Sequence, residues 1–154
     1  MRITFCLCLL LAPMANAEEK KLKLSDEEQM ILDLTNKERA KKKLPALKPN
    51  PILFLVARAH SKNMAKQQKM QHKLDGKTPA QRVDGAGYNF RSTGENIAAG
   101  DPSWKIPGVV QAWMESKGHR ENILSRKYVE IGIGVGTSEK GEKYYTQVFG
   151  KKLR

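Results

Sequence analysis

The chain is poor in several things that carry chemistry elsewhere. Of its 154 residues only two are cysteine, Cys6 and Cys8, and both fall in the first ten positions. From residue 9 onward there is no thiol, so a disulfide framework, a thiolate metal site and a cysteine nucleophile are excluded there. Aromatic residues make up 6% and do not interleave with basic ones. That argues against a stacking platform for nucleic acid. No Gly-rich loop of Walker type and no G-x-S-x-G elbow occurs, which removes the best-defined phosphate-loop and serine-hydrolase signatures. Long apolar runs are also missing. The one greasy stretch, Ile3 to Leu11, is too short to span a bilayer. Acidic residues are the last shortage: 16 against 28 basic ones, a formal charge of +12.

That apolar stretch follows Arg2 and precedes Ala15-Asn16-Ala17. A positive start, a short apolar core and an A-x-A end predict a secretory signal peptide over residues 1–17. A charged lead-in is expected over 18–27 and a single domain over 28–154. The location implied is outside the cytoplasm, extracellular or periplasmic. The basic surface, with Lys37, Arg39 and Lys41 to Lys43 close together, would favour an anionic cell-envelope surface.

Ser25-Asp26-Glu27-Glu28 has the form of a capping box and opens a helix expected over 26–43. Asn50-Pro51 caps a second helix running to about 68, with Leu53, Val56, Ala57, His60 and Met64 on one face. Thr78-Pro79 starts a short helix, and Pro107 starts another that carries Trp113. Gly118 is the expected left-handed cap ending that helix. Further on the period changes. Ile131, Ile133 and Val135 alternate with Gly132, Gly134 and Gly136, a strand with one bulky face and one bare face. Gly141 turns the chain into a second strand over 143–149. Helices followed by an antiparallel hairpin give an α+β class.

Chemistry is then left to three histidines and the carboxylates. His60 shares an apolar stripe and reads as a packed core residue. His72 lies in irregular chain after a helix, and His119 lies next to Gly118 at an expected helix end. Glu95 stands between Gly94 and Asn96, among residues too small to bury it by packing. Two imidazoles and a carboxylate suit Zn²⁺ or another divalent metal with an open position. They suit equally well an acid–base pair with an orienting carboxylate.

Several blocks then match a known family in order and spacing. They are Asn36-Lys37-Glu38-Arg39, the segment Ala57 to Ala65, His72, Thr78-Pro79 with Arg82 and Ala86-Gly87-Tyr88, Gly94-Glu95-Asn96-Ile97-Ala98, Trp113 to Leu124, Gly132-Ile133-Gly134-Val135 and Tyr145-Thr146-Gln147-Val148-Phe149-Gly150. With these the chain resembles the CAP superfamily, the SCP-like extracellular domains, and within it the bacterial branch. The resemblance implies a three-layer α–β–α sandwich with a central antiparallel sheet and a surface cleft. In eukaryotic relatives the cleft holds two His and two Glu, with divalent metal in several members. His72 and Glu95 look like one half of that tetrad. The second glutamate position is Ser116 here, with Glu115 one residue and about 100° away on a helix. The second histidine position is Tyr144. The bacterial branch has instead the histidine matched by His119. The implied cleft set is thus His72, Glu95 and His119, with Ser116, Tyr144 and Asn96 as neighbours and His72 and His119 as metal ligands. Arg82 and Arg120 read as structural ion-pair partners.

Three functions follow as expectations. One is a secreted module binding a small hydrophobic, glycan or peptide ligand. Another is a metal- or His-dependent, protease-like hydrolase outside the cytoplasm, with His72 or His119 as base, oriented by Glu95, and with Ser116 three residues before His119. The last is a basic envelope-associated protein.

Overall fold

A computed structural model describes residues 22–153. The signal peptide read over 1–17 and the first part of the lead-in lie outside the described residues. Nine elements follow in order: α1 (Asp26–Lys41), β1 (Lys48–Pro49), α2 (Pro51–Gln67), α3 (Pro79–Gly85), β2 (Phe90–Gly100), α4 (Ile106–Glu115), α5 (Lys117–Ile123), β3 (Glu130–Thr137) and β4 (Lys143–Lys152). The strands form one sheet in the order β1-β3-β4-β2. β1 runs parallel to β3, and the other pairings are antiparallel.

Local signals explain the helix starts. The Ser25 hydroxyl accepts from the Glu28 N–H at 3.2 Å, and the Ser25 N–H donates to the Glu28 carboxylate at 2.9 Å. The same carboxylate takes Nε and Nη2 of Arg58 at 2.7 and 2.6 Å, which ties α1 to α2. Asn50 Oδ1 accepts from the N–H groups of Ile52 and Leu53, so two orphan donors of α2 are satisfied at once. The lead-in is not detached: Leu22 and Leu24 pack against the main core, and Arg58 donates to the Lys23 carbonyl at 2.7 Å.

Layering follows from the two-residue period of the strands. Ile131 and Ile133 of β3, with Tyr145 and Phe149 of β4, join Ile31 and Trp113 in the core beneath α1 and α4. Val148 faces the other way, into a cluster with Leu53, Val56 and Ala57 of α2. Gly132, Gly134 and Gly136 also face α2. A Cβ at these three positions would collide with the backbone of Leu53, Ala57 and Ser61 respectively. The spacing matches: four helical residues rise about 6 Å and two strand residues about 6.6 Å. The bare strand face therefore seats a helix backbone, turn by turn. Helices on both faces of the sheet make the expected three layers.

Two expectations change. Gly118 does not terminate a helix in the left-handed region; it lies inside α5. The break falls at Ser116, whose backbone is extended (φ −81°, ψ 123°). Arg120 explains how the break is tolerated. Its Nη1 donates to the Met114 carbonyl at 2.8 Å, covering an acceptor that the end of α4 leaves open. Arg120 is therefore a helix cap, and not an ion-pair partner as expected. The stretch from Gly94 to Gly100 is also more regular than its composition suggests. It belongs to β2, paired residue by residue with β4.

Candidate functional site

Glu95 sits in the middle of β2, and its side chain is 1% exposed. Both carboxylate oxygens are taken. Oε1 lies 2.8 Å from Nδ1 of His72, and Oε2 accepts from Nη2 of Arg82 at 2.7 Å. Nε2 of His60 stands 3.7 Å from Oε1. A buried carboxylate is thus ringed by two imidazoles and a guanidinium, and the guanidinium supplies the counter-charge that burial demands.

Each side chain is delivered by a separate local device. His72 follows α2 in a loop pinned at Asp75, whose carboxylate accepts from Asn63 at 2.7 Å and Gln67 at 2.8 Å, both on α2. Asp75 and Gly76 both adopt positive φ in that turn, and Leu74 bridges back to Lys77. Arg82 rides on α3, whose capping box is formed by Thr78 and Gln81. Its Nη1 holds the Lys77 carbonyl at 2.9 Å, so one guanidinium fastens the loop and the carboxylate together. Beside Glu95, a Cβ at Gly94 would collide with the Tyr128 hydroxyl, which explains why the residue before the glutamate is bare.

The expected set divides in two. His72 and Glu95 meet directly. His119 is half-buried and near enough for the His72 charge to be felt. Burial first, and that charge second, hold its pKa below the ordinary imidazole value. Among the described residues its ring makes no hydrogen bond or ion pair; its backbone carbonyl accepts from Asn96 at 3.1 Å. Asn96 is fully buried and committed to the scaffold. It donates to Gln147 Oε1 at 3.0 Å and accepts from Asn122 at 2.9 Å. Gln147 in turn donates to Thr35 on α1 at 2.7 Å. Asn122 on α5 reaches across to Asn96 and to the Glu95 carbonyl at 3.3 Å. Tyr144 is buried with Met64, Leu74 and Ile97, and its hydroxyl meets Glu142 at 3.2 Å. Ser116 is exposed at the α4–α5 break and has no hydrogen bond to His119.

Two members of the cluster were read as structural from the sequence. His60 is buried as expected, yet neither ring nitrogen has a hydrogen-bond partner. Its pKa is held below the usual imidazole range by burial, against the opposing pull of Glu95. Arg82 was expected to pair for structure, and its partner proves to be the site carboxylate. The only sequence signal for His60 was a polar ring on an otherwise apolar stripe. For Arg82 it was a place in the matched Thr78-Pro79 segment, which named no partner, since the contact joins α3 to β2 across separate turns.

The donor set does not suit a divalent metal. Among the described residues no group of three or more His, Cys, Asp or Glu side chains is placed to hold one. Both oxygens of Glu95 are already spent on His72 and Arg82. A cavity of about 480 Å³ opens between α2 and α3 beside the cluster. Leu55, Val56, Ala59, Leu74 and Ala86 line it together with His60 and Arg82.

Fold and sequence define the class. The chain belongs to the CAP family, the cysteine-rich secretory protein family, whose sequence model matches residues 32–149. It is 36% identical over 130 residues to the Bacillus subtilis protein YkwD, which covers 83% of this chain and 49% of YkwD. A Bacillus anthracis extracellular protein containing an SCP domain is 36% identical, with a TM-score of 0.68 over 82% of this chain and 40% of that one. An outer surface protein of Borrelia burgdorferi shares the fold at 23% identity, with a TM-score of 0.78 over 86% of this chain and 97% of its own. The chain spans about half the length of YkwD. One further fold neighbour, NaASP2, was solved with Zn²⁺ at 16% identity and a TM-score of 0.60, over 84% of this chain and 82% of that one. Among the described residues no helix is long and apolar enough to cross a membrane.

Proposed function

We propose that the protein is a ligand-binding domain working outside the cytoplasm, with His72 as the contact residue, tied through Glu95 to the His60 and Arg82 that line a largely apolar groove. One observation carries the reading. Glu95 engages Nδ1 of His72 at 2.8 Å, while the His72 side chain remains 51% exposed. In the neutral ring, a carboxylate on Nδ1 selects the Nδ1–H tautomer and leaves Nε2 as the acceptor. Arg82 and the burial of Glu95 make that arrangement rigid. The groove beside it, with Leu55 63% exposed at its rim, suits the body of a small hydrophobic ligand. A location outside the cytoplasm is supported by the leader-like pattern of residues 1–17 and by a relative described as an extracellular protein.

The same histidine–carboxylate geometry favours a second reading, a hydrolase in which His72 activates water. A serine route has less support, because Ser116 is not hydrogen-bonded to His119. Zinc chemistry is supported only by the neighbour solved with that ion, since the Glu95 oxygens are occupied here.

Titration with a dansylated fatty acid separates the readings. The binding reading expects saturable fluorescence enhancement, weakened roughly tenfold by Leu55→Asp and by His72→Ala. Absence of saturable binding overturns it. Ester or peptide turnover that disappears in His72→Ala would move the assignment to the hydrolase.

A further inference from the structure

A second pocket, of about 450 Å³, lies at the other edge of the sheet, where α1 ends and β1 meets β3. At its base is Arg39, from the Asn-Lys-Glu-Arg block of α1, only 2% exposed. Nε donates to the Pro45 carbonyl at 2.9 Å, and Nη1 to the carbonyls of Ile123 and Ser125 at 2.7 and 2.8 Å. All three acceptors are neutral. Among the described residues no carboxylate lies within ion-pair distance of Arg39, and its Nη2 has no acceptor. A guanidinium withdrawn from water without a counter-charge is an expensive arrangement. Burial first, and then the charge of Arg126, depress its pKa below the ordinary arginine value.

The pocket walls add charge of the same sign. Arg126 and Lys48, both exposed, line it beside Tyr128 and Val129. Glu130 is the one acidic side chain on the wall, and its oxygens are engaged by Asn50 Nδ2 at 2.9 Å and by the Tyr88 hydroxyl. Three cations against one occupied carboxylate leave the pocket positive. We propose that it binds the phosphate group of a ligand, with Arg39 at the base and Arg126 and Lys48 at the rim. The two remaining N–H donors of Arg39 Nη2 plus two further cations on other walls suit a multiply charged oxyanion, which can take donors from several directions. The site is separate from Glu95, which lies on β2 at the far edge of the sheet, and does not depend on the reading given for it.

Titrating inorganic phosphate and glycerol phosphate into ¹⁵N-labelled protein tests this. The expected result is a saturable shift of the Arg39 Nε–H and the Val129 amide. Arg126→Gln, at an exposed position that leaves the fold intact, should weaken it roughly fivefold or more. Lys66→Gln, which removes the same charge from the exposed face of α2, should leave it unchanged. No saturable shift, or equal weakening by both variants, overturns the proposal and leaves Arg39 as a latch holding the turn after α5. Vesicles containing phosphatidylglycerol identify the source. Binding that Arg126→Gln abolishes assigns the phosphate to a lipid headgroup, and phosphate binding without vesicle binding assigns it to a soluble ligand.

Discussion

The two faces reached from α2 are built on opposite principles. Toward β3, α2 presents Leu53, Ala57 and Ser61 to three bare glycines, and the backbones touch with nothing between them. The Ser61 hydroxyl is satisfied there by the Gly134 carbonyl at 2.9 Å and by Thr146 at 2.8 Å. Toward α3 and β2, the same helix presents His60, whose ring nitrogens go unpartnered beside a buried carboxylate. The first face is closed by shape. The second is closed by charge, and it keeps a polar group short of its hydrogen bonds. A seam held by backbone contact tolerates no change of volume, whereas a seam held by ions tolerates volume and is exposed to pH.

The largest effect that sharpens this contrast is expected from Gly134→Val. The added methyls meet the backbone of Ala57, which cannot rotate out of the way. A loss of about 3 kcal/mol or more is expected, read as a lowered urea midpoint or a failure to fold. A loss under about 1 kcal/mol would mean that α2 can lift from the sheet. Next is Arg82→Met. It removes the cation from a buried carboxylate while leaving His72 in place. About 2–3 kcal/mol should be lost at neutral pH, since half of the ring around Glu95 survives. Much of that loss should be restored when Glu95→Gln is added, because the uncompensated charge goes with it. No rescue would mean that Arg82 acts through packing alone.

The smallest effect is a pH dependence. His60 has a folded pKa below its unfolded value of about 6.5, so the unfolded chain takes up the proton more readily. Its neutral burial is fully tolerated above that pH, and stability falls as pH drops below it. Melting temperature should therefore decline between about pH 7 and 5, and His60→Gln should flatten that segment of the curve. A wild-type profile that rises over the same interval would show Glu95 outweighing burial at His60.

Legibility in the sequence follows the same division. The capping box at Ser25, the Asn50 cap and the glycine stripe are local signals, and each is found where its pattern places it. Strand β2 escaped because its small residues from Gly94 to Ala99 do not alternate; Glu95 to Ala98 are buried in succession between the sheet partner and the covering helices. The break at Ser116 escaped because an extended residue between two helical turns has no side-chain signature, and Gly118 offered a stop signal close by. His72 and Glu95 stood out by their chain positions and by their motif, and their side chains meet. Their rank within a ring that includes Arg82 and His60 depends on where α3 lands, and no residue spacing encodes that.

Beneath the site, Asn122, Asn96, Gln147 and Thr35 join α5, β2, β4 and α1 through amides and a hydroxyl alone. None of those groups gains or loses a proton in any habitable medium. Acidification can thus reach the buried His60 ring while the footing of β2 keeps its shape. A ring such as His60 would feel a change of acidity on a frame that itself stays still.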